Sequence, residues 1–442
     1  MKNMNNLNGM KKYMYLGFGI LLLSASAPAQ VPAPKQTKSI LLSNGTAHIG
    51  NGTVIENSYI GFKDGKLVLV ADATSSKIDP AQYEIIVDAK GKHVYPGLIA
   101  PSATIGLIEI GAVRATNDMQ ETGKYNPNIR ALIAYNTDSK IIPTVRTNGV
   151  LLAQVCPRGG RISGTSSIMM MDGWNWEDAV LRTDDGIHLN WPNMMSRTGW
   201  WAEPGPTTRN KNYDNEMEEM KKFFLDAKAY NEVEKPEETN VRFKAMKGLF
   251  SGTQTLYVHA NYVKELSEAV FFAQKMGVKK MVIVGGKDSW MITDLLKENN
   301  IAVIVNRVHE LPDLPEQDID LPYKLPYLLH KAGVSFCLNN EGDMEQIHTR
   351  NLPFMAGTAA AYGLSKEEAL MSITLSAAKI LGIDKVCGSL EEGKDATLFI
   401  STGDALDITT NNVTHAYIQG RAIDLNNEQK ELYEMYMKKY GK

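Results

Sequence analysis

Lys280-Met281-Val282-Ile283-Val284-Gly285-Gly286 is a short apolar run that stops on two glycines, the form of a strand followed by a tight turn. Before it, Val263, Leu266, Val270 and Ala273 recur at helical spacing. After it come a helical stretch, Met291 to Lys297, a β-branched apolar run, Ile301 to Val305, a second helix, Leu325 to Lys331, and a further strand, Val334 to Leu338. Strands alternating with helices imply right-handed βαβ units and a parallel sheet. The middle of the chain, residues 96–385, has the length of an eight-stranded (β/α)8 barrel with an insertion. A doubly wound open sheet is the competing architecture, but no glycine-rich dinucleotide fingerprint supports it.

Both ends of the chain read differently from the middle. Ser39 to Leu42, Thr53 to Phe62 and Lys66 to Ala71 are strand-like, with Asp64-Gly65 as a hairpin signal, and Ala396 to Ile400 and Val413 to Asp424 resemble them, with Gly420-Arg421 as a turn. Segments 38–95 and 386–425 are therefore expected to form one small β-sandwich domain built from both chain ends, followed by a helical tail, 426–442. Inside the middle, five of the six Trp (Trp174, Trp176, Trp191, Trp200 and Trp201) precede a helix from Asn215 to Ala229. On that helix Met217, Met220 and Phe224 share a face and Glu218 and Lys222 are spaced for an ion pair. Residues from about 171 to 250 read as an insertion with an aromatic surface, either local core or a contact for a substrate or partner.

Lys11 and Lys12 stand before the apolar run Tyr13 to Leu23, which leads into Ala27-Pro28-Ala29. This pattern predicts a signal peptide over residues 1–29, a linker over 30–37 and a periplasmic or secreted mature chain. Cleavage would remove three lysines and no acids, taking the net charge from −3 to −6. No later run reaches 18 apolar residues, so no membrane span is expected after cleavage. With 47 basic against 50 acidic residues there is no positive excess to hold a phosphate backbone, which argues against nucleic acid. Cys156, Cys337 and Cys387 are few, scattered and odd in number, and read as buried free thiols.

Val94-Tyr95-Pro96-Gly97-Leu98-Ile99, at the junction of the first strand-rich segment and the middle, resembles the start of the barrel in the metal-dependent amidohydrolase superfamily, in particular its imidazolonepropionase-like branch. Ser376-Ala377-Ala378-Lys379-Ile380-Leu381-Gly382 is similar to the family's last barrel helix. Gly388-Ser389-Leu390-Glu391-Glu392-Gly393-Lys394-Asp395-Ala396 is similar to its return into the β domain. In that family the first barrel strand reads Pro-Gly-Leu-Ile-Asp-x-His-x-His. Residues two apart on a strand point the same way, so both imidazoles reach one cation.

The ligand positions that the resemblance implies depart from the family pattern in turn. Ser102 and Thr104 stand where the two His are expected, and hydroxyls hold a borderline metal weakly. Gly159 to Thr165 resembles the loop before the strand that supplies a bridging Lys in many relatives, and this register puts Met170 there. Leu256-Tyr257-Val258-His259-Ala260 keeps a His, whereas Gly285 falls where the next is expected. The last ligand lies at Glu341 or, in a shifted register, at Asp343. The other His have no partner at ligand spacing: His48, His93 and His415 fall in the β domain, His330 in a helix, and His188, His309 and His348 in loop-like stretches.

A catalytic zinc takes about three protein ligands and an open water position. Only His259 with Glu341 or Asp343 is available, so no cofactor is expected unless this residual site holds zinc. Walker loop, Gly-x-Ser-x-Gly and Cys-x-x-Cys patterns are absent from the sequence. The expectation is an exported amidohydrolase-like protein, non-catalytic, acting as a homo- or hetero-oligomer with partners that include an intact relative. The alternative is a hydrolase of carbon–nitrogen bonds using His259, Glu341 and Asp343.

Overall fold

The computed structural model describes residues 31–200, 202–313, 316–340 and 345–441. The signal-peptide segment 1–29, Trp201, Glu341 and Asp343 lie outside the described residues. Among the described residues no helix is long and apolar enough to cross a membrane.

From the amino-terminal side come β1 (Ile40–His48), β2 (Val54–Lys63), β3 (Lys66–Asp72), β4 (Ile85–Asp88) and β5 (His93–Pro96). Asp64-Gly65 makes the expected two-residue hairpin, because both residues take positive φ, 52° and 80°, as a type I′ turn requires. The barrel strands follow: β6 (Leu98–Ala103), β7 (Val150–Val155), β8 (Ile162–Met170) and β9 (Val180–Asn190). A hairpin of β10 (Met195–Trp200) and β11 (Glu203–Arg209) interrupts them before β12 (Thr255–Ala260), β13 (Met281–Gly285), β14 (Ala302–Val305) and β15 (Phe336–Leu338). The chain then returns to the first sheet as β16 (Leu398–Ser401), β17 (Val413–Ile418) and β18 (Arg421–Ala422). The expected turn sits at Gln419-Gly420, one residue earlier than Gly420-Arg421, since these two residues have positive φ.

The first sheet runs β18-β17-β16-β5-β1-β2-β3, with β4 beside β1. The two chain ends meet where β5 lies antiparallel to β16, Tyr95 opposite Phe399. Ile60, Phe62, Leu398, Ile400 and Tyr417 fill its core. The second sheet is an eight-stranded, nearly closed barrel in the order β6-β7-β8-β9-β12-β13-β14-β15. The helix Leu375–Ile380 packs against both β6 and β15, the two edge strands. The β12 to β15 half follows the expected alternation, with helices Val263–Met276 and Leu321–Ala332 ending on Gly277 and Gly333 in the left-handed region.

Three details differ from expectation. β8 runs antiparallel to β7 and β9, because residues 156–161 are too few for a crossover that would return the chain to the same end. The segment 171–250 is not wholly an insertion: it contributes β9 to the barrel, and the excursion is the β10–β11 hairpin with the helix Tyr213–Glu232. On that helix Glu218 pairs with Lys221, while Lys222 turns to Asp226. Met220 and Phe224 are fully buried in the barrel core as their shared face predicts. Trp191 is also buried, its Nε1 donating to the Tyr213 hydroxyl at 3.2 Å, whereas Trp174 and Trp200 are exposed. All three cysteines are buried free thiols.

Candidate functional site

The parallel strands β9, β12, β13 and β14 end on one side of the barrel, and an open cleft of about 850 Å³ lies there. Its lining includes Asn190 just past His188, His259, Asn261, Val284, Asn306 and the Arg161–Glu216 ion pair. Carboxamides therefore dominate the strand ends. The C-terminal face is where barrel enzymes place their chemistry, since loops leave the strands there.

His259 lines this cleft from β12, and beside it stands a residue that sequence spacing placed in a loop. His188 belongs to β9, opposite Tyr257 in the parallel ladder, and is fully buried. Its Nδ1 shares a 2.9 Å hydrogen bond with His259 Nε2, and its ring stacks on Tyr257 at 4.8 Å between centroids. The alternation of Gly186-Ile187-His188-Leu189-Asn190 was the available signal, obscured by the polar start of the same strand, Arg182-Thr183-Asp184-Asp185.

Below the two imidazoles the barrel holds a buried polar network. Asp185 accepts from Gln154 Nε2 at 2.7 Å, Ser166 Oγ at 2.8 Å and Tyr257 OH at 2.8 Å. Burial pushes the Asp185 carboxyl above its usual range, against the downward pull of Ser166, Tyr257 and Gln154. Burial, together with the Asp185 charge, likewise raises the Tyr257 phenol. Gln154 extends the network to the first barrel strand, its Oε1 accepting from the Ser102 N–H at 3.0 Å.

The first-strand positions are enclosed by protein. Ser102, fully buried, sits in the left-handed region at φ 48°. Arg158 Nη2 donates to the Ser102 carbonyl at 2.7 Å, and its Nη1 reaches Ser102 Oγ at 3.3 Å and Cys156 Sγ at 2.9 Å. Thr104 is buried beyond it. A guanidinium keeps its charge throughout the accessible pH range, so a fixed cation stands at the end of this strand.

Two other expected positions do not join the site. Met170 is at the opposite end of the barrel: because β8 is reversed, Met170 pairs with Leu152 near the start of β7, while Ile162 pairs with Leu189 beside the imidazoles. It lines a separate cavity with Trp174 and Arg421. Gly285 does end β13 at the cleft, but at φ 101° it leaves no room for a side chain. An added Cβ would collide with Asn261 Oδ1 and lie 3.0 Å from the Ala260 carbonyl. Asn340, next to the undescribed Glu341, is buried and its carboxamide makes no hydrogen bond. Of the remaining His, His48 and His93 share a 3.0 Å contact in the β domain and His330 pairs with Glu368 from its helix. His309 bonds Thr358, and His348 ends the short helix Glu345–His348.

Among the described residues no group of three or more His, Cys, Asp or Glu is placed to hold a metal ion. Among the described residues, the His188–His259 pair and the buried hydroxyls of Ser102, bonded by Arg158, and Thr104 do not make up a three-ligand catalytic zinc site.

These features define a mixed α/β barrel protein with a cleft at its strand ends and a second sheet knitted from both termini. Residues 323–423 match the Amidohydrolase family. An amidohydrolase from Thermotoga maritima is similar in structure, with a TM-score of 0.74 and 23% identity over 87% of this chain and 99% of that one. A putative prolidase from Bifidobacterium longum follows at 0.52 and 18%, covering 91% and 100%. An adenosine deaminase from Xanthomonas campestris with bound zinc reaches 0.50 and 13%, covering 92% and 98%. No curated protein sequence matches significantly. The family match covers residues 323–423, and the likeness to these amidohydrolase structures is one of fold.

Proposed function

We propose that this protein is an exported amidohydrolase-fold protein without a hydrolytic metal centre, acting by association with a partner subunit. The observation that carries the reading is Arg158. Its guanidinium binds the Ser102 carbonyl and reaches the Ser102 hydroxyl, where the family resemblance places the first pair of metal ligands. Arg158 thus takes up the Ser102 oxygens, and neither Ser102 nor Thr104 can replace an imidazole. Export is supported by the charged, apolar and small-residue order of residues 1–29. Association is supported by the exposed apolar residues that the barrel and tail present, Trp174, Trp200 and Met435 among them.

One observation favours the alternative, a hydrolase of carbon–nitrogen bonds such as those of dipeptides, the class named for several similar structures. His188 and His259 present adjacent imidazole nitrogens beside a ligand-sized cleft. Calorimetric titration with zinc, paired with a dipeptide hydrolysis assay, separates the two. The proposal expects no stoichiometric binding tighter than micromolar and no turnover above that of His259→Ala. One zinc per chain, with turnover lost in both His188→Ala and His259→Ala, would establish the hydrolase.

A further inference from the structure

The last element of the chain, the helix Glu428–Lys439, is capped by Asn427, whose side chain accepts from the Lys430 N–H at 2.9 Å. It is tied to the barrel through Thr144 Oγ1, which donates to Gln429 Oε1 at 3.2 Å. Yet none of its residues is buried, and only Met437 is even half-buried. Glu428, Leu432, Met435 and Lys439 are spaced four, three and four apart, so they form one stripe down the helix. At about 100° per residue that stripe lies on the side opposite Met437, facing away from the rest of the chain. Leu432 is 44% exposed, Met435 54% and the flanking Tyr436 50%. A helix that shows its apolar seam to water lacks the burial that normally stabilises short helices.

We propose that this stripe pairs antiparallel with the same stripe of a second copy of the chain. The order of its residues selects both the occupant and the direction. The acid stands at the amino-terminal end of the seam, the base at the carboxy-terminal end and the two apolar residues between them. About a two-fold axis between residues 433 and 434, Leu432 of one copy faces Met435 of the other, and Glu428 faces Lys439, at both ends. A parallel pair would set Glu428 against Glu428 and Lys439 against Lys439. The acidic residues in and beside the seam also argue against a negatively charged lipid surface as the occupant. Twelve residues span about 18 Å, a small contact by the standards of stable dimers, so affinity in the micromolar range is expected. This inference rests on the associating role proposed above and is independent of the metal site.

The test is light scattering during size-exclusion of the purified protein at tens of micromolar. The parent should run as a dimer. Glu428→Lys and Lys439→Glu, each creating like-charge contacts at both ends, should each weaken pairing by about tenfold or more. An equimolar mixture of the two single variants should pair again, as should the double variant E428K/K439E. Leu432→Asp should be a monomer that melts as the parent does at concentrations too low to pair, since Leu432 is 44% exposed and belongs to neither core cluster. A monomeric parent, or a dimer indifferent to all of these changes, would overturn the proposal. Capture of a different native partner by both the parent and Glu428→Lys would leave the associating role standing while this seam fails.

Discussion

Replacing Asp185 by Ala should cost far more than replacing it by Asn, although both remove the same charge. In the Ala variant three donors lose their acceptor inside the barrel, Gln154 Nε2, Ser166 Oγ and Tyr257 OH. Two can re-pair locally: Ser166 Oγ already lies 3.2 Å from the Gly186 carbonyl, and Gln154 Nε2 lies 3.3 Å from Ser166 Oγ. The Tyr257 hydroxyl keeps a buried donor without an acceptor and a cavity opens beside it, so the expected loss is about 3 kcal/mol. In the Asn variant the amide oxygen can accept from Gln154 and Tyr257 while the amide nitrogen donates to Ser166 Oγ, and the loss should stay near 1 kcal/mol or below. The two variants should also differ from the parent in pH dependence. Burial raises the Asp185 pKa, so the folded protein holds that proton more tightly than the unfolded chain does. Its contribution is complete below about pH 4 and is lost as pH rises through the raised pKa. Thermal unfolding should place Asp185→Ala roughly 3–6 °C below the parent at neutral pH. Asp185→Asn should lie near the parent and lack its decline above pH 4. Equal destabilisation by Ala and Asn would show that the three donors do not depend on this carboxylate.

Two further outcomes follow from the same physical rules. Burial and the neighbouring His48 charge hold His93 below the ordinary imidazole range, so the folded state resists its protonation. Stability from this group is present above about pH 6.5 and lost as pH falls below it, and His93→Asn should flatten the drop in melting temperature between pH 7.5 and 5.5. Gly285→Ala should destabilise by at least about 1–3 kcal/mol, read from the melting temperature, because positive φ and the collision with Asn261 act together. An unchanged melting temperature would mean that the β13 end can relax.

Much of the fold was legible because β12, β13, β14 and β15 are apolar runs separated by helices, two of which end on Gly277 and Gly333. The Asp64-Gly65 hairpin was legible for the same reason, as turn chemistry is local. β9 escaped notice because its first half is polar, and that polarity belongs to the interior: Asp185 is buried by hydrogen bonds instead of being excluded. Hydrophobic pattern carries no strand direction, so the reversal of β8 misplaced Met170 by the whole height of the barrel. The six residues between β7 and β8 were the usable clue. His259 stands at the cleft as its strand predicts, but its partner His188 and the Arg158 clamp on Ser102 come from pairings between distant strands and loops that no spacing records.

The most direct measurement of the central claim is elemental analysis of the protein purified from its native host and dialysed against a mild chelator. Without a hydrolytic metal centre, zinc should fall well below one atom per chain, and His188→Ala and His259→Ala should leave the residue unchanged. A full equivalent of zinc that survives dialysis and disappears in either variant would contradict the account and make the barrel mouth a working metal site.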